Sequence, residues 1–226
     1  MPLNPSISKV VPGGGETIQT YQYTDIAAGT GMVEYYLGET NNSGTPASHA
    51  NLYMSDHKFY STHVLTGAKS FSGAYTRLIE RTADIEFNLP RVMKGNALVN
   101  VPLGMYVNVA PGCNSYVYAY VKKVSDAGVT DIAHSSGAIV TAGVALATYT
   151  RVNSAISIPI PQTHFKRGDS LRLLLEVWSS TTGNSDVFIG HDPQNRAATE
   201  EEWGTKTFGT QPSILTFTVP FKIDLP

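Results

Sequence analysis

Apolar and polar positions alternate most cleanly in two stretches near the C-terminal end of the chain. In the first, Leu171, Leu173, Leu175 and Val177 alternate with Arg172, Leu174, Glu176 and Trp178. In the second, Leu215, Phe217, Val219, Phe221 and Ile223 alternate with Thr216, Thr218, Pro220 and Lys222. A period of two puts every second side chain on one face of a strand. Both stretches therefore read as long strands of an antiparallel sheet with one face on a core.

Similar patterns continue upstream. Gly31–Leu37 reads as a strand, Asn51–Met54 and Phe59–Val64 as a short pair around Ser55–Lys58, and Gly67–Gly73 as a small-residue loop. From Thr82 to Val92, Ile85, Phe87 and Leu89 alternate with Asp84, Glu86 and Asn88, with Pro90 suiting an edge or bulge. Lys94–Gly95–Asn96 reads as a turn back into Ala97–Val101, which predicts a hairpin. Tyr116, Tyr118 and Tyr120 alternate with Val117, Ala119 and Val121, and Asp126–Gly128 turns that strand into Val129–Ala133. Residues 137–160 read as one or two strands closed by Pro159 and Pro161, and Lys166–Asp169 as a tight turn. Ser179–Ser185 and His191–Pro212 read as loops by their turn chemistry. A helical turn is expected at most near Ala197–Trp203, where acidic residues suit a helix start.

About ten strands with turn signals between them predict an all-β fold, an antiparallel β-sandwich of jelly-roll type. Residues 1–16, with Pro2, Pro5, Pro12 and Gly13–Gly15, read as an extended N-terminal arm, and 17–226 as a single domain.

Composition narrows the function classes. Of the 226 residues only 15% are charged, against roughly 25% in an average soluble domain. Such surfaces often pack on other proteins. The net charge of −2 with scattered basic residues leaves no footprint for nucleic acid. The start Met1–Pro5 has neither a basic nor an apolar leader region, which predicts synthesis in a cytoplasm without general secretory export. No apolar run approaches the roughly 18 residues of a membrane span. The single cysteine, Cys113, permits no intrachain disulfide, and it reads as a small residue in a turn rather than a nucleophile.

No constellation of residues announces catalysis, a cofactor or a metal. The six histidines lack the close spacing of an imidazole metal site; His57 and His63 would share a face only on one unbroken strand. His191–Asp192–Pro193 could pair acid and base, although Asp-Pro more often opens a turn. Asn184, Asp186 and Asp192 could meet around a cation. Asp84, Glu86 and Glu176 are the strand carboxylates from which a glycosidase pair could be drawn, with outward-facing strand carboxylates the plainer reading. A serine elbow and a phosphate loop are both missing. The expectation is a protein without enzymatic activity.

Twelve tyrosines carry more interest. Tyr35, Tyr36, Tyr116, Tyr118 and Tyr120 lie on strands, where they can fill the sheet, anchor a protein interface or stack sugars.

Lys166–Arg167–Gly168–Asp169–Ser170–Leu171–Arg172–Leu173, leading to Glu176–Val177–Trp178, resembles the penultimate strands of jelly-roll structural proteins of tailed viruses. Gly190–His191–Asp192–Pro193–Gln194–Asn195–Arg196, the ending Pro220–Leu225, and Asp84–Pro90 followed by Lys94–Ala97 resemble them too. The resemblance spans about the last two thirds of the chain and leaves the N-terminal segment unplaced. It implies a decoration, cement or minor capsid protein on a virion surface, partnered by the major capsid protein and by copies of itself, with a trimer as the natural assembly. The contacts would come from the arm (Pro2, Pro5, Pro12) and from Tyr35, Tyr36, Tyr116, Tyr118 and Tyr120. Gly168–Asp169 before an alternating strand is also found in carbohydrate-binding jelly rolls, so a glycan-binding module, such as the receptor-binding jelly roll of a viral fibre or tail, is the alternative.

Overall fold

The structure is a computed structural model that describes residues 30–39, 52–107, 113–141, 149–196 and 213–222. The arm with Pro2, Pro5 and Pro12, the 40–48 loop, and the stretch 197–212 with its expected helical turn lie outside the described residues. Within the described residues the chain is all-β, a ten-stranded sheet without helix.

The strands are β1 (Thr30–Gly38), β2 (Leu52–Ser55), β3 (Leu65–Glu86), β4 (Arg91–Val107), β5 (Cys113–Ser125), β6 (Gly128–His134), β7 (Ala138–Thr141), β8 (Tyr149–Phe165), β9 (Ser170–Gly190) and β10 (Leu215–Lys222). They hydrogen-bond in the order β6-β5-β9-β3-β2-β1-β10-β4-β8, with β7 also on β5. The β2–β3 contact is parallel, and the other pairings are antiparallel. A further pairing of Leu103–Val107 in β4 with Ser185–Ile189 in β9 closes the inner strands into a ring. β9 thus serves two neighbourhoods. Its first half lies between β5 and β3, and its second half between β4 and β3.

Alternation then does what it predicts. Leu171, Leu173, Leu175 and Val177 turn inward to meet Val117, Ala119 and Val121 of β5, Val99 and Val101 of β4, Ile158 of β8 and Phe217 and Val219 of β10 in one cluster. Each fully buried side chain of this kind contributes about 1.5–3 kcal/mol of transfer free energy.

Several expected boundaries differ. Gly67–Gly73 and Ser179–Ser185, expected as loops, are continuous parts of β3 and β9 and pair with each other across register shifts. Their composition favours turns, but the facing backbones satisfy one another's hydrogen bonds, and bulges absorb the misfit. The expected hairpin around Lys94–Gly95–Asn96 does not form. That segment is a bulge inside β4 with Gly95 at φ 130°, and β4 pairs with β8, β10 and β9 rather than β3. The chain turns earlier, over Phe87–Pro90, where Phe87 packs edge-on against Phe165 and Phe221. Residues 59–64 are not a strand, and Cys113 opens β5 instead of sitting in a turn. Pro159 and Pro161 lie within β8 rather than ending it, which an edge strand tolerates.

Candidate functional site

The first group of interest surrounds His191. Its imidazole is fully buried, with Nε2 2.9 Å from Thr66 Oγ1 and Nδ1 3.5 Å from Ser61 Oγ. Burial, with the Arg81 charge acting in the same direction, pushes its pKa down to about 3, so the ring is neutral. Ser61 gives its proton to the His63 carbonyl oxygen at 2.5 Å and accepts the Glu39 N–H at 2.9 Å. Asp192, equally buried, accepts the Arg196 N–H at 2.6 Å and the Arg196 Nε–H at 3.0 Å. Arg196 also donates to the Ser61 carbonyl and lies 4.0 Å from the Tyr60 ring centroid. A serine, a histidine and an aspartate are therefore close, but the hydroxyl proton goes to backbone and the carboxylate to arginine. His191 and Asp192 form a latch rather than an acid–base pair, and Asp192–Asn195 makes the turn that Asp-Pro favours. Asn195, at φ 55°, completes it by accepting the Ser213 N–H at 2.8 Å, which ties the segment to the entry of β10.

The second group lies on the outer face of β3, β9, β5 and β6. Register places Tyr116 opposite Trp178, Tyr118 opposite Glu176 and Arg77 opposite Trp178. Tyr75, displaced by a bulge in β3, reaches across β9 to β5. Its ring stacks on Trp178 (4.9 Å, 18°), meets Tyr116 edge-on (5.0 Å, 81°), and its hydroxyl donates to Tyr118 at 2.7 Å. Desolvation and that bond raise the Tyr75 pKa to about 12. Glu176 sits almost buried among these rings. One carboxylate oxygen accepts Arg77 Nη1 at 2.9 Å, and the other accepts the Trp178 indole at 2.9 Å and lies 3.5 Å from the Tyr120 hydroxyl. Nearby charges are paired: Arg77 with Glu80 along β3, and across strands Arg172 with Asp84 at 2.6 Å and Lys122 with Asp131 at 2.9 Å.

The opposite outer face belongs to β1, β10, β4 and β8. Tyr36, Thr216, Asn100 and Ala155 form one cross-strand row, and Glu34, Thr218, Leu98 and Ser157 the next. Met32 pairs with Pro220 beyond them. Met32 and Leu98 are exposed, Asn100 donates to Thr216 at 3.2 Å, and Glu34 is the one charge within those two rows.

The sequence candidates divide accordingly. Tyr116, Tyr118 and Tyr120 come together on one outer face, and Tyr36 stands on the other with the Lys58 ammonium 5.5 Å from its ring centroid. Tyr35, expected at an interface, points the other way. It is 3% exposed in the core, where burial raises its hydroxyl pKa, and it is closed to a partner. Asp84 is engaged by Arg172, and Glu86 is exposed at the end of β3. Tyr75 and Trp178 were not singled out. Trp178 ends an alternating stretch, Tyr75 follows a segment expected as a loop, and their meeting depends on a bulge that local pattern does not announce. Among the described residues no group of three His, Cys, Asp or Glu is placed to hold a metal.

No family model matches the sequence, and no curated protein does. Among solved structures the chain is similar to a CocE/NonD family hydrolase from Staphylococcus aureus (12% identity, TM-score 0.43, 84% of this chain and 37% of that one). It is also similar to an α-amino acid ester hydrolase (8%, 0.48, 84% and 36%) and to a structure of infectious bursal disease virus (13%, 0.31, 70% and 34%). The chain spans little more than a third of the length of each. At these values the likeness assigns neither an activity nor a partner. It does correct the expectation of a protein without enzymatic activity, because proteins similar to this chain are hydrolases by name. Lack of a recognisable motif is no ground for excluding an activity.

Proposed function

We propose that this chain is a jelly-roll sandwich that serves as a structural protein of a virus particle, made in the host cytoplasm and bound to the capsid surface as a trimer through contacts with the major capsid protein and with copies of itself. The observation that carries this reading is the outer face of β1, β10, β4 and β8. It is nearly uncharged, with Leu98 exposed in its middle row and Met32 exposed at one end. A sheet face of small polar and apolar side chains can be covered by another protein without stranding charges.

Size adds a constraint. Four strands about 4.8 Å apart and three cross-strand rows make a patch of roughly 400 Å², about half the ~800 Å² per partner of a standard interface. The exposed Tyr53, opposite Gly38 on the neighbouring strand β2, extends the contact. Many weak copies on a symmetric shell compensate for the rest through avidity.

The test is sedimentation of the purified chain with undecorated particles of its virus, alongside its native mass by light scattering. Leu98→Lys puts a long, hydrated cation at the centre of the face and should weaken co-sedimentation about tenfold or more. Unchanged binding by that variant would remove the face from the proposal. A chain that binds no particle would remove the proposal itself.

A further inference from the structure

The aromatic face on β3, β9 and β5 is not used by that reading, and its chemistry differs from that of the face opposite. Tyr75 lies across β9 with one side of its ring on Trp178 and the other toward solvent. It is 46% exposed, while Tyr116, Tyr118, Tyr120 and Trp178 are half-buried. Around the ring stand groups that can donate hydrogen bonds. Arg77 is about half exposed, and the Tyr118 hydroxyl, having accepted from Tyr75, keeps its own proton free to donate outward.

We propose that this platform binds a glycan, with one neutral pyranose ring stacked on Tyr75 and its hydroxyls bonded by Arg77 and Tyr118. A pyranose matches the site in shape and polarity. Its C–H face is apolar and flat enough for one aromatic ring, whose electron-rich face attracts polarised C–H bonds. Its rim carries hydroxyls that exchange water for protein partners at little cost. The ligand is neutral because the charges around the ring are already paired: Arg77 with Glu80 and Glu176, Lys122 with Asp131.

A protein partner fits this face less well. Covering it would desolvate those ion pairs for the gain of one exposed ring. Glu176 is a positioning residue here. It holds the Arg77 guanidinium and the Trp178 indole at 2.9 Å each, so the ring under Tyr75 and the donor beside it are fixed before the sugar arrives. Gly137, at φ 90°, adds to that rigidity, since a Cβ there would come within 2.6 Å of the Tyr118 ring. The inference is independent of the capsid reading, because it rests on the other face of the molecule.

The experiment uses the full chain on an array of oligosaccharides built from glucose, galactose, mannose and N-acetylglucosamine. Calorimetry then follows with the strongest binder. Tyr75→Ala should lose about tenfold or more in affinity, and Tyr75→Phe, which keeps the ring, should stay within about threefold. Arg77→Ala should weaken binding while leaving the Tyr75 platform intact. Leu98→Lys should bind sugar like the parent, which separates this result from the particle test. An array without a hit overturns the proposal, as does equal binding by Tyr75→Ala and the parent. If Tyr75→Ala instead lowers native mass or particle binding, the face is a protein contact and the glycan assignment is wrong.

Discussion

His191 has no solvent exposure and lies near the Arg81 charge, and both disfavour its protonated form. Its folded pKa of about 3 is well below the roughly 6.5 of an unfolded chain. The folded state therefore binds fewer protons than the unfolded state wherever pH lies between these values. Stability from this group is complete above about pH 6.5 and is lost as pH falls, by at most about 1.4 kcal/mol per pH unit. Asp169 acts lower. Bonds from Lys123 and from the Lys166 N–H depress the Asp169 pKa, so its contribution fails only below the ordinary carboxylate range. Urea midpoints between pH 7 and 4.5 thus isolate the histidine. They should fall steadily for the parent and much less for His191→Gln, which keeps hydrogen-bonding atoms but cannot charge. Equal slopes would mean that His191 is not the group that titrates.

Strands carry a different constraint, set where β3, β9 and β4 meet. Phe188 is paired with Gly67 on one side and with Gly104 on the other and is completely buried. A Cβ on Gly104 would come 2.1 Å from the Phe188 ring, and one on Gly67 would come 2.2 Å from the Val187 carbonyl oxygen. Both glycines are needed for close approach, not for turning the chain. Gly104→Ala should cost about 1–3 kcal/mol through overpacking. Phe188→Leu alone should cost about 1–3 kcal/mol through lost contacts, yet the double variant should cost less than the sum, because the smaller side chain makes room for the methyl. Thermal or urea unfolding of the four proteins checks this; strict additivity would mean the two positions do not press on each other. The same junction explains what a reader of the sequence can and cannot find. The first half of β9, β10 and the β5–β6 hairpin are legible because their alternation or turn is local. Gly67–Gly73 and Ser179–Ser185 look like loops because Gly, Ser and Thr favour turns, and only the distant partner makes them strands. Tyr116, Tyr118 and Tyr120 are found by period two. Alternation also requires Tyr35 and Tyr36 to face opposite ways. The approach of Tyr75 to Trp178 comes from a bulge and a crossing that no short window contains.

For the molecule as a whole, the two outer faces offer separate contacts, and the capsid reading makes a further demand. The nearly uncharged face is small for a stable contact, so the proposed assembly needs additional area, and the N-terminal residues with Pro2, Pro5 and Pro12 are the chain's own source of it. A proline- and glycine-rich segment loses less freedom on binding where proline has already restricted the backbone, and a linked second contact acts at high effective concentration. Removing residues 1–15 should therefore reduce co-sedimentation with particles about tenfold or more, leave the unfolding midpoint within experimental scatter, and leave sugar binding at Tyr75 unchanged. Combining the deletion with Leu98→Lys should lower particle binding further than either alone, because each removes a different part of one contact. If the truncated chain binds particles as well as the full chain, the segment makes no contact. The face at Leu98 must then either find its missing area around Tyr53 or give up the role assigned to it.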